Sequence, residues 1–245
     1  MTDFVLIHET AHGAWCWREV TAALAQYGDR AYVFDLPGHG ADLHPRQQLD
    51  RHSYRVTIEA QILQLRLRNA VLVGHGLAGS VLPEVIARYP ECFRQVIFFA
   101  AVALEAGECA LAYLSPDYRR CVMSAAATTA DCTLAINFAT AQAQFFNDLS
   151  AAAARRWFRK LTPAPTAPYL VPTEFAASRL QLPRDYLLAT ADRHLLPAQA
   201  QRCAAQLGCQ PRLLTGAGHD AMLSQPRQLA AALHEIALTR HLRRS

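Results

Sequence analysis

The segment Gly74-His75-Gly76-Leu77-Ala78 has the spacing of a nucleophile elbow, the tight turn that lifts a serine Oγ out of a sheet to attack a carbonyl carbon. Its third position, where the serine belongs, is Gly76, which carries no attacking atom, and its fifth is Ala78 in place of a glycine. Glycine adopts positive φ without steric penalty, so Gly76 relaxes roughly 1–3 kcal/mol of backbone strain that another residue would store in such a turn. Gly74, Gly76 and Gly79 also satisfy the G-x-G-x-x-G pattern of a dinucleotide site. Two features oppose that reading. Two strands precede the pattern, and the next strand ends Phe98-Phe99-Ala100-Ala101, with no acid for a ribose.

The elements around the elbow read as alternating strands and helices. Apolar runs at Phe4 to Ile7, Ala31 to Phe34, Ala70 to Val73, Val96 to Phe99, Tyr186 to Thr190 and Arg212 to Leu214 predict strands. Amphipathic stretches at Trp17 to Tyr27, Tyr54 to Leu67, Gly79 to about Tyr89, Pro197 to Leu207 and Pro226 to about His241 predict helices. That alternation implies βαβ units around a mostly parallel sheet flanked by helices. From about residue 103 to 183 the rhythm turns helical, Ala-rich and finally Pro-rich, which predicts an inserted helical cap on a core of 1–102 and 184–245.

The chain has 245 residues, of which 52% are apolar, enough for one domain with a sizeable core. Its 24 basic and 20 acidic residues are scattered, which argues against a nucleic-acid partner. The small cluster Arg240, Arg243 and Arg244 reads as a solvated tail. Seven cysteines at irregular spacing form no C-x-x-C pair, so no metal is expected, and the thiols are expected reduced. Neither a leader peptide nor a membrane-length apolar run stands out, and the expected location is cytoplasmic.

The run Phe4-Val5-Leu6-Ile7-His8-Glu9-Thr10-Ala11-His12-Gly13-Ala14-Trp15-Cys16-Trp17, together with Gly218-His219-Asp220-Ala221-Met222-Leu223-Ser224-Gln225-Pro226-Arg227, resembles the hydroxynitrile lyase and methyl-salicylate esterase group of the α/β-hydrolase fold. Pro183-Arg184-Asp185-Tyr186 leading to Ala191-Asp192-Arg193 fits that group's acid loop, and Phe145-Phe146-Asn147-Asp148 with Leu161-Thr162-Pro163 fits its cap. The resemblance implies an α/β-hydrolase fold and a triad of serine, acid and histidine. The acid maps to Asp192, the base to His219 and the serine to Gly76. The oxyanion hole maps to the backbone N–H groups of Thr10 and Leu77. Glu9 departs from the pattern, since esterases of this group have glycine after the first histidine. A carboxyl in a partly apolar pocket is expected to have a raised pKa and to act as a general acid or base. If ionised, it would repel a developing oxyanion. Asp220 stands where the lyases have lysine, which counts against cyanide release by their mechanism. His8, His75 and the cap's Phe146 are expected around the substrate pocket, with His8, His12 and His75 also open to a packing role.

These residues favour an enzyme without covalent catalysis, in which His219 oriented by Asp192 is the base and a protonated Glu9 the acid. A lyase, cyclase, dehydratase or isomerase step on a small carbonyl compound would suit them, with no cofactor and a possible homodimer. Two readings compete: a serine esterase or thioesterase represented by an engineered variant at Gly76, and a non-catalytic pseudohydrolase that binds a small ligand.

Overall fold

A computed structural model describes residues 1–242; Arg243 and Arg244 lie outside them, and the Arg240 side chain is not described either. Strands β1 (Asp3–Ile7) and β2 (Arg30–Val33) flank helix α1 (Arg18–Gln26). Helix α2 (Arg51–Gln64) leads to β3 (Ala70–Gly76), and α3 (Leu82–Arg88) to β4 (Phe93–Ala101). The cap follows as α4 (Pro116–Thr128), β5 (Thr133–Leu134), α5 (Phe138–Gln144), α6 (Ala151–Phe158), β6 (Ala164–Pro165) and α7 (Ala167–Leu170). The core resumes with β7 (Arg184–Ala189), α8 (Pro197–Gln206), β8 (Arg212–Leu214), α9 (Ala221–Ser224) and α10 (Pro226–Leu242).

Among the described residues six strands form one sheet in the order β2-β1-β3-β4-β7-β8, with every pairing parallel. Both faces are covered, which is why the strands read as continuous apolar runs. Phe4 and Leu6 of β1 join Trp17, which caps α1, Leu24 of α1, and Leu229 and Leu233 from α10. Val5 and Ile7 point the other way, to Ile58 and Ile62 of α2 and Leu82 and Val85 of α3. The chain reverses its direction of travel across the sheet between β1 and β3. Loops leaving those carboxyl ends part to opposite faces and open a crevice there.

Several boundaries differ from the sequence reading; β4, for one, runs from Phe93 to Ala101 rather than from Val96 to Phe99. Helix α2 starts at Arg51, three residues before Tyr54, because Asp50 caps it. The Asp50 carboxylate accepts from the Ser53 N–H at 2.8 Å, and the Ser53 hydroxyl faces back to the Asp50 N–H. Strand β3 runs through the elbow to Gly76, paired with β4 to Ala101. The turn after it is 3-10 from Leu77 to Ser80 before α3 begins. The two-residue strands β5 and β6 pair antiparallel within the cap, which the apolar pattern did not show. The cap is tied to the core by the stacked Trp15 and Trp157 rings, 5.5 Å apart, and by the Thr162 N–H donating to Ala11 O at 2.8 Å. No helix among the described residues is long and apolar enough to cross a membrane.

Candidate active site

Four loops from the carboxyl ends of strands converge on the crevice. Glu9 lies two residues past β1, Gly76 ends β3, Asp192 follows β7 and His219 follows β8. The register that pairs Ile7 with Gly74 sets Glu9 beside Gly76. Gly76 has φ 58° and ψ −127°, the elbow geometry in which a side chain would be strained. A Cβ at this position would lie 1.5 Å from Glu9 Oε2 and 2.3 Å from its Cδ. The Glu9 carboxylate therefore fills the space that a side chain at position 76 would need.

The carboxylate also takes the two backbone N–H groups expected to form an oxyanion hole. The Leu77 N–H donates to Oε2 at 2.6 Å, and the Thr10 N–H and hydroxyl both donate to Oε1 at 2.6 Å. Thr10 and Leu77 thus converge as the sequence predicted, but on Glu9. The Tyr169 hydroxyl from the cap in turn bonds the Thr10 hydroxyl.

His219 is fully buried, and its Nδ1 meets Asp192 Oδ2 at 2.8 Å. The other Asp192 oxygen accepts from the backbone N–H groups of His194 and Leu195 at 2.8 and 3.0 Å. His219 Nε2 has no hydrogen-bond partner among the described residues and stands 3.9 Å from Glu9 Oε2. A shared substrate or water oxygen can bridge that separation with a hydrogen bond to each.

The protonation states reverse the sequence expectation. Burial by itself would raise the Glu9 carboxyl, but neighbouring His219 and the Thr10 hydrogen bond outweigh it and hold the group at about 2. Burial by itself would lower His219, but the carboxylates of Asp192 and Glu9 lift it to about 10. Those directions leave Glu9 ionised and His219 protonated at neutral pH. The expectation of a protonated Glu9 weighed burial and missed the partners. Burial raises the Asp192 carboxyl, against the pull of His219 and the two N–H groups.

The three residues expected around the pocket do other work. His8 Nδ1 bonds the Glu9 carbonyl at 2.7 Å while its Nε2 accepts from the Leu36 N–H at 2.9 Å. Burial lowers its pKa to about 4, so His8 is a neutral clip on the Glu9 backbone. His75 Nε2 bonds the His219 carbonyl at 3.1 Å, and its ring stacks on Phe99. Phe146 is buried against Phe145, outside the cavity wall. The cavity beside Glu9 and Gly76 is instead bounded by Tyr169, His194, Leu114 and Leu195, with room for about one water molecule. A larger groove of about 410 Å³ between Pro83–Pro90 and Glu174–Leu182 contains none of the site's residues.

Sequence reasoning missed two features. His194 lies two residues past Asp192, and its ring is 4.6 Å from that of His219. A histidine inside the acid loop was the available signal. The second is a buried His12–Asp220 pair at 2.8 Å, both side chains fully enclosed. His12 Nδ1 also bonds Thr10 O at 2.9 Å. With an acceptor on each ring nitrogen, His12 is held protonated; burial opposes this and Asp220 overcomes it. The pair ties the Glu9–Thr10 loop to the loop of His219. Asp148 of the cap supports that loop, accepting from the Gly218 N–H at 2.7 Å and the Ser224 hydroxyl at 2.6 Å.

Glu9, His194 and His219 bring one carboxylate oxygen and two ring nitrogens within 4.8 Å, a donor set that suits a divalent metal. His219 would join such a set only with its Nε2 deprotonated.

Residues 4–232 match the model of a family described as "Alpha/beta hydrolase family". The chain is 36% identical to the probable esterase PIR7A of Oryza sativa over 110 residues, a match spanning 41% of that protein's length. It is 28% identical to a carbendazim hydrolyzing esterase of a Nocardioides species, covering 95% of this chain and 98% of that one. The structure is similar to that of an extracellular alpha/beta-hydrolase from a Paenibacillus species, with TM-score 0.87, 23% identity and coverage of 96% of this chain and 99% of that chain.

Proposed function

This chain belongs to the alpha/beta hydrolase family, and from that premise we propose that it is an enzyme acting on a small carbonyl compound by acid–base chemistry, with no serine at its elbow. The observation that carries this reading is the Glu9 carboxylate in the space of the missing side chain, 3.9 Å from His219 Nε2. Ionised Glu9 takes a proton from water or from an acidic C–H bond. Protonated His219, oriented by Asp192, gives one to the leaving or carbonyl oxygen. Each such transfer contributes about 10²–10⁴-fold to rate.

Esterase relatives favour hydrolysis as the reaction, with Glu9 activating water. A lyase-type step is the second reading. It is favoured by the occupied oxyanion hole, since a tetrahedral intermediate would find both N–H donors already bonded to a carboxylate. The reading of Gly76 as an engineered replacement for serine requires the Glu9 carboxylate to turn out of the space it now fills.

Hydrolysis of p-nitrophenyl acetate, followed by intact mass spectrometry during turnover, tests the proposal. Glu9→Gln and His219→Gln are each expected to lower turnover by at least about 10²-fold with no acetylated protein accumulating. An acetyl group trapped on the chain, or full activity in both variants, would overturn it.

A further inference from the structure

Three buried side chains from three loops meet beside Gly76: Glu9 after β1, His194 after β7 and His219 after β8. Each offers one atom, a carboxylate oxygen or a ring nitrogen, and the three atoms lie within 4.8 Å of one another. His219 Nε2 and Glu9 Oε2 are 3.9 Å apart. Tetrahedral zinc, with bonds of about 2.0–2.1 Å, holds its donors about 3.3–3.5 Å apart, so these two need to close by only about half an ångström. No protein group competes for the His219 donor. Its Nδ1 is on Asp192, and its Nε2 has no hydrogen-bond partner among the described residues.

The supports around these donors are those of a metal ligand set. A ligating histidine donates its other ring N–H to a carboxylate or carbonyl, which fixes the ring. Asp192 does this for His219 at 2.8 Å, and its second oxygen accepts from the His194 N–H. Glu9 is fixed in turn by the N–H groups of Thr10 and Leu77. The His194 ring is held by packing against Tyr118 and Phe145, and no hydrogen bond ties its Nδ1. Charge matches as well. Beside a neutral His219, Glu9 and Asp192 place two negative charges in the interior, which a divalent ion balances. Glu9 and His194 line the cavity with room for about one water molecule, so the ion's fourth position can hold a water and nothing larger. A second set, His75, His219 and Asp220, fits less well. Asp220 is already paired with His12, and His75 Nε2 with the His219 carbonyl.

We propose that Glu9, His194 and His219 bind one divalent transition metal ion of the zinc and cobalt class, with Asp192 orienting His219 from behind. Two imidazoles and one carboxylate suit these ions better than calcium or magnesium, which take oxygen ligands. On binding, the ion takes the place of the proton on His219 Nε2, and that proton leaves to solvent. The bound ion and the acid–base pair use the same atoms, so they are alternative states of one site. The inference stands on the placement of the donors and does not need the acid–base reading.

The probe is Co²⁺, added to the full chain after treatment with a chelator and read by visible absorption, with Zn²⁺ as competitor. The parent is expected to take up one Co²⁺ per chain with the intense d–d bands of a four-coordinate nitrogen–oxygen site, and Zn²⁺ should abolish them. Glu9→Gln and His194→Phe, each close in shape to the original, should weaken binding at least about tenfold, and Asp192→Asn, which removes the orienting group, about 10–100-fold. His75→Phe, from the second set, and His44→Gln, at an exposed histidine beside Asp42, should leave binding unchanged. Thermal unfolding without metal shows that each variant folds, and added metal should raise the unfolding temperature of the parent but not of Glu9→Gln or His194→Phe. No uptake by the parent, binding unchanged in Glu9→Gln and His194→Phe, or loss of binding in His75→Phe or His44→Gln would each overturn the inference. So would a thiolate-to-cobalt charge-transfer band, which places the ion on a cysteine. Failure of the acid–base reading is separate: it shows as full turnover in metal-free Glu9→Gln and His219→Gln while Co²⁺ still binds the parent.

Discussion

Replacing Gly76 with serine should not restore a serine hydrolase, and the structure shows by how much it should fail. The new Cβ would sit 1.5 Å from Glu9 Oε2 and 2.9 Å from Glu9 Cγ, so the carboxylate must leave. Leaving breaks its bonds from the Leu77 N–H and from the Thr10 N–H and hydroxyl, all 2.6 Å long. Hydrogen bonds to a charged group contribute about 1.5–3 kcal/mol each. Losing the two backbone N–H bonds alone, plus roughly 1–3 kcal/mol of backbone strain for a side chain at φ 58°, gives a destabilisation of about 4–9 kcal/mol. That is comparable with the whole stability of a typical domain, about 5–15 kcal/mol. The double variant Glu9→Gly with Gly76→Ser lacks the Glu9 bonds and keeps the strain, as the single variant does, but removes the clash and the displaced buried charge. It should be more stable than Gly76→Ser alone by about 3–5 kcal/mol, the cost of a buried carboxylate stripped of its partners. It also frees both N–H donors and places an Oγ beside His219, so it should hydrolyse p-nitrophenyl acetate with a burst while the single variant does not. Urea denaturation and stopped-flow absorbance read the two halves. A Gly76→Ser protein within about 1 kcal/mol of the parent, or one more active than the double variant, would refute the placement of Glu9.

Two further outcomes follow from the buried charges. Glu9 has a lowered pKa in the folded chain, so its stabilising contribution is full above the ordinary value of 4.5 and is lost as pH falls towards about 2. His219 is raised, so its contribution is full below 6.5 and is lost as pH rises through about 10. Stability measured against pH should therefore form a plateau between roughly 4.5 and 6.5, and Glu9→Gln should flatten the acid side; an unchanged acid limb would count against the pair. Asp220→Ala strands protonated His12 in the interior and should cost about 3–5 kcal/mol. The double change His12→Leu with Asp220→Leu should cost much less, because no lone charge remains. A double variant as unstable as the single one, by denaturant titration, would show that the pair's ionic character is not the reason.

The fold was legible because the strands are apolar on both faces and the helices on one, a contrast that survives in residue order. Gly76 was legible from its turn motif, Asp192 and His219 from the family resemblance, and the three lie at the strand ends. Glu9 was legible as an anomaly but not as a charge. Its state is set by the N–H of Leu77 and the ring of His219, which are distant in sequence and adjacent only once β1, β3 and β8 are in register. His8 and His75 were misplaced for a related reason. A histidine beside a site looks the same in sequence whether its ring faces substrate or, as here, bonds the carbonyls of Glu9 and His219. His194 offered only its place in the acid loop as a signal; the fold sets it in the cavity wall.

The account stands on Glu9 being ionised beside a protonated His219. Side-chain ¹³C and ring ¹⁵N titration of labelled protein measures both groups directly. The expected result is a Glu9 carboxylate that stays ionised to about pH 2 and a His219 with both ring nitrogens protonated until about pH 10. A His219 that loses its proton near 6.5, together with a Glu9 that titrates at or above 4.5, would contradict it.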